Sequence, residues 1–65
     1  MSIIKALRLK SNLSQSELAN KIGVEQNTVS QWENEKRKPS LENVVKLSNL
    51  FNCTVDELLK GGEVS

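Results

Sequence analysis

Apolar residues recur every three or four positions along most of the chain, and no segment shows the sustained apolar-polar alternation of a strand. This pattern predicts an all-α fold. We expect five helices, over about residues 2–11, 15–22, 25–34, 41–51 and 55–60. The single proline and the three glycines lie between these segments or after the last of them, where helices end.

Two of the predicted helices begin with the same signature, a hydroxyl residue followed three positions later by glutamate. Ser14 with Glu17, and Thr54 with Glu57, have the spacing of capping boxes, in which each side chain binds the backbone amide of the other residue. Asn12 can end the first helix, because asparagine tolerates the left-handed backbone conformation found at many helix ends.

The helical periodicity also predicts which residues form the core. In the first helix, Ile3, Ile4 and Leu7 form an apolar stripe that is expected to face the core. Ala6 and Leu9, beside this stripe, are two further core candidates. Trp32 is expected to anchor the core, and Cys53 to act as a small apolar residue. The fourth helix is predicted to be the most enclosed element, because apolar residues cover more than half of its circumference: Leu41, Val44, Val45, Leu47, Leu50 and Phe51.

Residues 14–34 have the order of a helix-turn-helix: a helix that ends at Gly23, a very short turn and a second helix. The second helix of this motif, over about residues 25–34, carries an uninterrupted polar face opposite Val29 and Trp32. Amide side chains match the hydrogen-bonding edge of adenine in the major groove. A solvated surface is the alternative, but the helix-turn-helix order favours base reading. This face contains Gln26, Asn27, Ser30, Gln31 and Asn34, of which the first four are the predicted base-reading residues.

Residues on either side of this helix are candidates for phosphate contacts. Gln15 and Ser16 begin the preceding helix, where free backbone amides and the helix dipole favour an anion, although ordinary capping would also explain them. Thr28, at the edge of the polar face, is suited to the core side or to a phosphate. The following loop contains three consecutive basic residues, which suit phosphate binding but are also common in solvated loops: Lys36, Arg37 and Lys38. Arg8 and Glu33 can pair, which would tie the first helix to the third.

Composition narrows the possible functions. At 65 residues and 7.3 kDa the chain is expected to form one domain, residues 1–65, too small to enclose a deep ligand pocket. It has no histidine and one cysteine, which leaves no intrachain disulfide and no plausible zinc or cysteine–histidine site. We therefore expect neither an enzyme nor a cofactor.

Charge and hydropathy add two expectations. The net charge of +1 is uneven, with +3 over residues 1–38 and −2 over residues 39–65, so the first part of the chain is better suited to an anionic partner. No apolar run is long enough to span a membrane, and the N-terminus lacks the layout of a signal peptide. These features predict a cytoplasmic protein.

Several motifs over about residues 3–60 resemble the Cro and phage-repressor type of helix-turn-helix domain, also called the Xre family. They are Leu13-Ser14-Gln15-Ser16-Glu17-Leu18-Ala19, Ile22-Gly23-Val24, Gln26 with Val29-Ser30-Gln31-Trp32-Glu33, Lys36-Arg37-Lys38-Pro39-Ser40 and Val55-Asp56-Glu57-Leu58-Leu59. The resemblance implies a compact five-helix, lambda-repressor-like fold whose third helix enters the major groove of operator DNA, commonly as a twofold dimer. It implies a pairing of Arg8 with Glu33, phosphate contacts around residues 34–38, Asn34 included, and base or phosphate contacts at Gln15, Gln26, Asn27, Thr28, Ser30 and Gln31.

Three positions depart from the pattern of this family. Glu25 replaces a common Ser or Thr at the start of the third helix, where a carboxylate could repel phosphate or accept from a cytosine amino group. Glu35 replaces a common Gly, so Asn34 or Glu35 is expected to have an unusual backbone conformation. Asn12 replaces another Gly, which asparagine can imitate.

The sequence thus favours a sequence-specific regulator of transcription, a repressor that binds an inverted-repeat operator in double-stranded DNA as a homodimer, with no small-molecule effector evident. The alternative is a protein-interaction module on the same fold, for example an antitoxin-like protein, which an exposed apolar patch on the last two helices would mark. Candidates for the dimer interface are Phe51, Leu59 and Val64.

Overall fold

The computed structural model describes residues 2–60, and these residues fold into five helices with no strand. The predicted all-α fold and the number of helices are confirmed. No helix within residues 2–60 has both the length and the apolar character needed to cross a membrane. The helices are α1 (Ile3–Lys10), α2 (Gln15–Ile22), α3 (Gln26–Glu33), α4 (Leu41–Phe51) and α5 (Val55–Lys60).

Hydroxyl side chains cap the beginnings of four helices. Each accepts a hydrogen bond from the backbone amide three residues further on, and the capping residues are Ser2, Ser14, Ser40 and Thr54. Both predicted capping boxes form: Ser14 and Glu17 exchange hydrogen bonds of 2.9 and 3.0 Å, and Thr54 and Glu57 exchange bonds of 3.1 and 3.3 Å. The exception is α3, which begins after Glu25 without a side-chain cap.

The ends of four helices share a left-handed backbone residue that turns the chain sharply. Three of these residues are glycine or asparagine, which adopt this conformation at low cost. The fourth is Glu35, for which the conformation is unfavourable. Their φ angles are 58° for Asn12, 87° for Gly23, 58° for Glu35 and 53° for Asn52. Asn12 therefore follows α1 as predicted, and the unusual residue after α3 is Glu35 rather than Asn34.

The core is built from apolar residues of all five helices. Helix α2 packs against α3 and α4, α1 packs against α3, and α4 packs against α5. Trp32 is buried as predicted, and Cys53 is half-buried against the same cluster. The buried apolar residues are Ile4, Leu18, Ala19, Ile22, Val29, Trp32, Val44, Leu47 and Leu58.

The prediction that α4 is the most enclosed helix is wrong. Only Val44 and Leu47 among its apolar residues are buried, whereas Leu41 is 63% exposed, Val45 is 42% exposed and Leu50 is 36% exposed. A helix at the surface of a small domain has neighbours on one side, so a wide apolar surface cannot all be covered. In α1, the two further core candidates, Ala6 and Leu9, are also exposed for this reason.

Candidate nucleic-acid interface

The turn between α2 and α3 is set by the backbone at Gly23. Its positive φ angle is one that residues with a side chain rarely adopt, although the space beside its Cα is open. The amides of Gly23 and Val24 both donate to the carbonyl oxygen of Ala19, at 2.8 and 3.0 Å. These bonds close α2 and direct the chain into α3 within three residues. Residues 14–34 therefore form the predicted helix-turn-helix.

One face of α3 is fixed in the core and the opposite face is accessible. Val29 and Trp32 are buried, which sets the rotation of the helix about its own axis. Gln26 and Asn27 are exposed at its first turn, and Ser30, Gln31 and Thr28 are half-buried. The structure thus places the four predicted base-reading residues on the face that the core leaves open.

Asn34 follows α3 and is exposed at the end of the same face. Its side-chain amide donates to the hydroxyl oxygen of Ser30 at 3.3 Å. This hydrogen bond joins a predicted phosphate contact to a predicted base contact. The spacing of four residues on a helix permits this hydrogen bond, but the sequence pattern alone does not select it.

Glu25 lies at the exposed beginning of α3, directly before Gln26. Its carbonyl oxygen accepts from the amides of Thr28 and Val29, at 3.0 and 3.4 Å, as expected for the first turn of a helix. Its carboxylate makes no capping hydrogen bond. The backbone of Glu25 therefore supports the helix, while its side chain adds a negative charge next to the polar face.

A buried ion pair connects α1 to the end of α3. Arg8 Nε lies 2.6 Å from Glu33 Oε2, and Arg8 Nη2 donates to Glu33 Oε1 at 3.0 Å. Arg8 Nη1 donates to the carbonyl oxygen of Leu13 at 2.8 Å. The hydrogen bond to Glu33 raises the pKa of Arg8, against the opposing effect of burial. This is the pair that the sequence predicts.

The same carboxylate also binds Gln15 at the start of α2. The Gln15 amide donates to Glu33 Oε1 at 3.1 Å, which holds the half-buried Gln15 side chain beside the ion pair. Glutamine carries two N–H groups, so one remains for another acceptor. No sequence spacing indicates this contact, because the two residues are 18 positions apart and belong to different helices.

The first turn of α2 presents backbone amides that the helix itself does not use. The capping box engages the amides of Ser14 and Glu17. The amides of Gln15 and Ser16 are at the first two helical positions, which have no partner within a helix. Ser16 is exposed. The hydrogen bond from the Ser14 backbone lowers the pKa of Glu17, so this box is fully formed at neutral pH.

The basic loop after α3 is fixed at its start by two backbone hydrogen bonds. The amide of Glu35 donates to the Trp32 carbonyl at 3.1 Å, and the amide of Lys36 donates to the Gln31 carbonyl at 2.9 Å. This pattern is a Schellman motif, whose left-handed position is occupied by Glu35. The side chains of the three basic residues are exposed: Lys36, Arg37 and Lys38.

A family model described as helix-turn-helix matches residues 4–58. The chain belongs to the helix-turn-helix family of the Cro and phage-repressor type. The solution structure of the DNA-binding domain of the P22 C2 repressor has a similar fold, with a TM-score of 0.82 and 38% sequence identity over 94% of this chain and 80% of that one.

Curated members of this helix-turn-helix family with similar sequences are named as regulators of transcription. The chain is 38% identical to the transcriptional activator BcrR of Enterococcus faecalis over 61 residues, and 39% identical to the transcriptional regulator ImmR of Bacillus subtilis over 62 residues. It is 40% identical over 58 residues to repressor protein C2 of Salmonella phage P22. These matches cover 94%, 95% and 89% of this chain, but 30%, 49% and 27% of the respective relatives.

Proposed function

We propose that this chain binds double-stranded DNA sequence-specifically and regulates transcription, as a repressor that binds an inverted-repeat operator as a homodimer. The observation that carries the proposal is the accessible polar face of α3, held in a fixed orientation by the buried Val29 and Trp32. The names of the relatives support it, since they include a phage repressor whose DNA-binding domain has a similar fold. We further infer a cytoplasmic, non-enzymatic protein that needs no cofactor or effector.

The proposed interface divides its contacts between bases and phosphates. Side chains on α3 read base edges, and the candidates are Gln26, Asn27, Ser30 and Gln31. Contacts to the backbone on either side position the helix in the groove. The candidates for these contacts are Gln15, Ser16, Thr28, Asn34, Lys36, Arg37 and Lys38, and all of them lie within residues 1–38, the part of the chain with a surplus of positive charge.

The homodimer is proposed because one small module contacts too few base pairs for tight specific binding. A twofold dimer reads two half-sites, which explains an inverted repeat. Of the three candidates for its interface, Phe51 is half-buried and Leu59 is 38% exposed, while Val64 lies outside the described residues. The alternative function, a protein-interaction module, is favoured by one observation: Leu41 and Val45 are exposed one turn apart on α4.

The first test is selection of bound sequences from a random duplex pool near physiological salt. We expect an enriched inverted repeat with half-sites about 10 base pairs apart. If well-folded protein enriches no sequence, base reading by α3 is refuted, and the exposed apolar residues of α4 become the place to look for a protein partner.

The division between base and phosphate contacts is tested by single substitutions. Gln26→Ala and Gln31→Ala should each lower the preference for one base pair by about 1–3 kcal/mol, whereas Lys36→Ala should weaken binding to all duplexes and reduce the salt dependence. Lys46→Ala, on α4 and outside the helix-turn-helix, is the matched control for loss of a positive charge. Equal losses on every duplex for Gln26→Ala, Gln31→Ala and Lys36→Ala, with none for Lys46→Ala, would contradict the assignment.

A further inference from the structure

Directly before α3 lies the exposed carboxylate of Glu25, which forms no ion pair within residues 2–60. Glu25 is exposed and makes no capping hydrogen bond, although it is at the position where the other four helices have a capping hydroxyl. Within residues 2–60, the ion pair is between Arg8 and Glu33, so no lysine or arginine neutralises Glu25. The Glu25 side chain therefore contributes little to the fold and remains available for an external contact.

The location of Glu25 determines which external contact it can make. It directly precedes Gln26 and Asn27, which are exposed at the first turn of α3. In helix-turn-helix proteins the residues at the beginning of the recognition helix are those that contact base edges. If α3 enters the major groove as proposed, the Glu25 carboxylate is carried in with it.

The chemistry of a carboxylate restricts the bases that it can contact. An ionised carboxylate only accepts hydrogen bonds. In the major groove, guanine and thymine present acceptors, whereas cytosine presents its N4 amino group and adenine presents an amino group beside an acceptor. Cytosine is therefore the base that suits a carboxylate best, because its edge offers a donor and no acceptor that would repel the carboxylate. At a guanine or thymine, the carboxylate would be desolvated without a donor, which penalises the wrong sequence.

We propose that Glu25 is a specificity-determining residue, which accepts a hydrogen bond from cytosine N4 at a base pair next to the one that Gln26 reads. The proposal rests on the proposed function, and it adds a base that the amide side chains of α3 do not favour. The proposal also explains why α3 lacks the capping hydroxyl of the other four helices: residue 25 contacts DNA instead of capping the helix.

The test compares the base preferences of the wild-type protein and of Glu25→Gln, by selection from a random duplex pool and then by competition among single-site variants of the selected duplex. Glutamine keeps the length of the side chain and removes its charge. We expect the wild-type protein to favour cytosine about tenfold over guanine or thymine at one position of each half-site. In Glu25→Gln this preference should disappear or change to adenine, while the preferences at the other positions remain.

Two further variants separate base reading from charge and from folding. Glu35→Gln removes an exposed negative charge at the other end of α3 and should leave every base preference unchanged. Glu25→Ser supplies the missing capping hydroxyl, so it should raise the melting temperature and yet lose the preference for cytosine. This combination cannot be explained by damage to the fold.

Three results would overturn the proposal, and each leads to a different conclusion. If Glu25→Gln increases affinity for every duplex by the same factor and keeps the preference for cytosine, the carboxylate only repels phosphates. If the wild-type protein selects an operator without a cytosine preference near the position of Gln26, this assignment fails while the proposed function stands. Enrichment of no sequence at all would refute both.

Discussion

The buried ion pair between Arg8 and Glu33 should contribute strongly to stability, and Glu33→Gln tests this directly. Each residue is 8% exposed, so the charges are largely removed from water. Breaking a buried pair by changing one partner costs about 3–5 kcal/mol, because the remaining charge stays buried without compensation. A domain of 65 residues has a free energy of unfolding of about 3–10 kcal/mol. The substitution should therefore remove a large part of the total stability.

The geometry explains why an amide cannot replace the carboxylate of Glu33. Two guanidinium nitrogens of Arg8 donate to its two oxygens, at 2.6 and 3.0 Å, and Gln15 donates to one of these oxygens as well. An amide has one oxygen and one NH2 group. In either orientation, its NH2 group faces an N–H group of Arg8, which leaves a buried donor without an acceptor.

Trp32 provides the probe for this measurement. It is the single tryptophan of the chain, is 2% exposed and directly precedes Glu33. Urea unfolding followed by its fluorescence gives the free energy of unfolding from the midpoint and slope. An osmolyte such as trimethylamine N-oxide shifts the equilibrium towards the folded state, which keeps weakened variants measurable.

The double variant Arg8→Met with Glu33→Leu is the control that isolates the charge effect. Apolar pairs of similar volume often replace a buried ion pair at little cost. We expect the double variant to be more stable than either single variant, with a residual loss from the hydrogen bonds to Leu13 and Gln15. The reasoning is refuted if Glu33→Gln costs less than about 1 kcal/mol, the range of an exposed pair, or if the two single effects add in the double variant.

Two further predictions concern Glu35 and Glu17. Glu35→Gly should stabilise the protein by about 0.5–1 kcal/mol, because the left-handed conformation costs a residue with a side chain more than the extra chain entropy of glycine costs. Thermal unfolding measures this effect, and an unchanged melting temperature would contradict it. The bond from Ser14 lowers the folded-state pKa of Glu17, so its stabilisation is present above the unfolded pKa of about 4.3 and is lost as the pH falls through the folded value. Melting temperatures at pH 7 and pH 3 should therefore differ less for Glu17→Gln than for the wild type, and an equal difference would refute this.

Most of the fold could be predicted because its signals are local. The capping boxes at Ser14 and Thr54 each depend on residues three positions apart, and their hydrogen bonds form as the spacing indicates. The end of α1 at Asn12 follows from the backbone preference of one residue. The polar face of α3 could be predicted from helical periodicity once Val29 and Trp32 were assigned to the core. These features do not depend on how distant segments pack.

The incorrect or missed features depend on tertiary packing. The sequence pattern places apolar Leu41 and Val45 on α4, but their burial requires a neighbouring element that residues 2–60 do not supply on that side. The hydrogen bond between Gln15 and Glu33 joins two helices, and no local pattern encodes it. Glu35 and Asn34 were equally acceptable candidates for the unusual backbone conformation. The choice follows from the Schellman bonds, which place the position after Asn34 in the left-handed region.

The contacts of Glu33 and Gln31 connect the proposed phosphate contacts on both sides of α3 to α3 itself, the proposed recognition helix. Glu33 holds the side chain of Gln15, and the Gln31 carbonyl holds the backbone of Lys36. Groups that are already ordered in the free protein lose little conformational freedom on binding, so their contacts contribute more of their energy to affinity. Because these hydrogen bonds join residues on different elements, a small rotation of α3 would move the proposed base-reading and phosphate-binding groups together. Arg8 pairs with the same Glu33 carboxylate, so the ion pair also connects α1 to the hydrogen bond that holds Gln15.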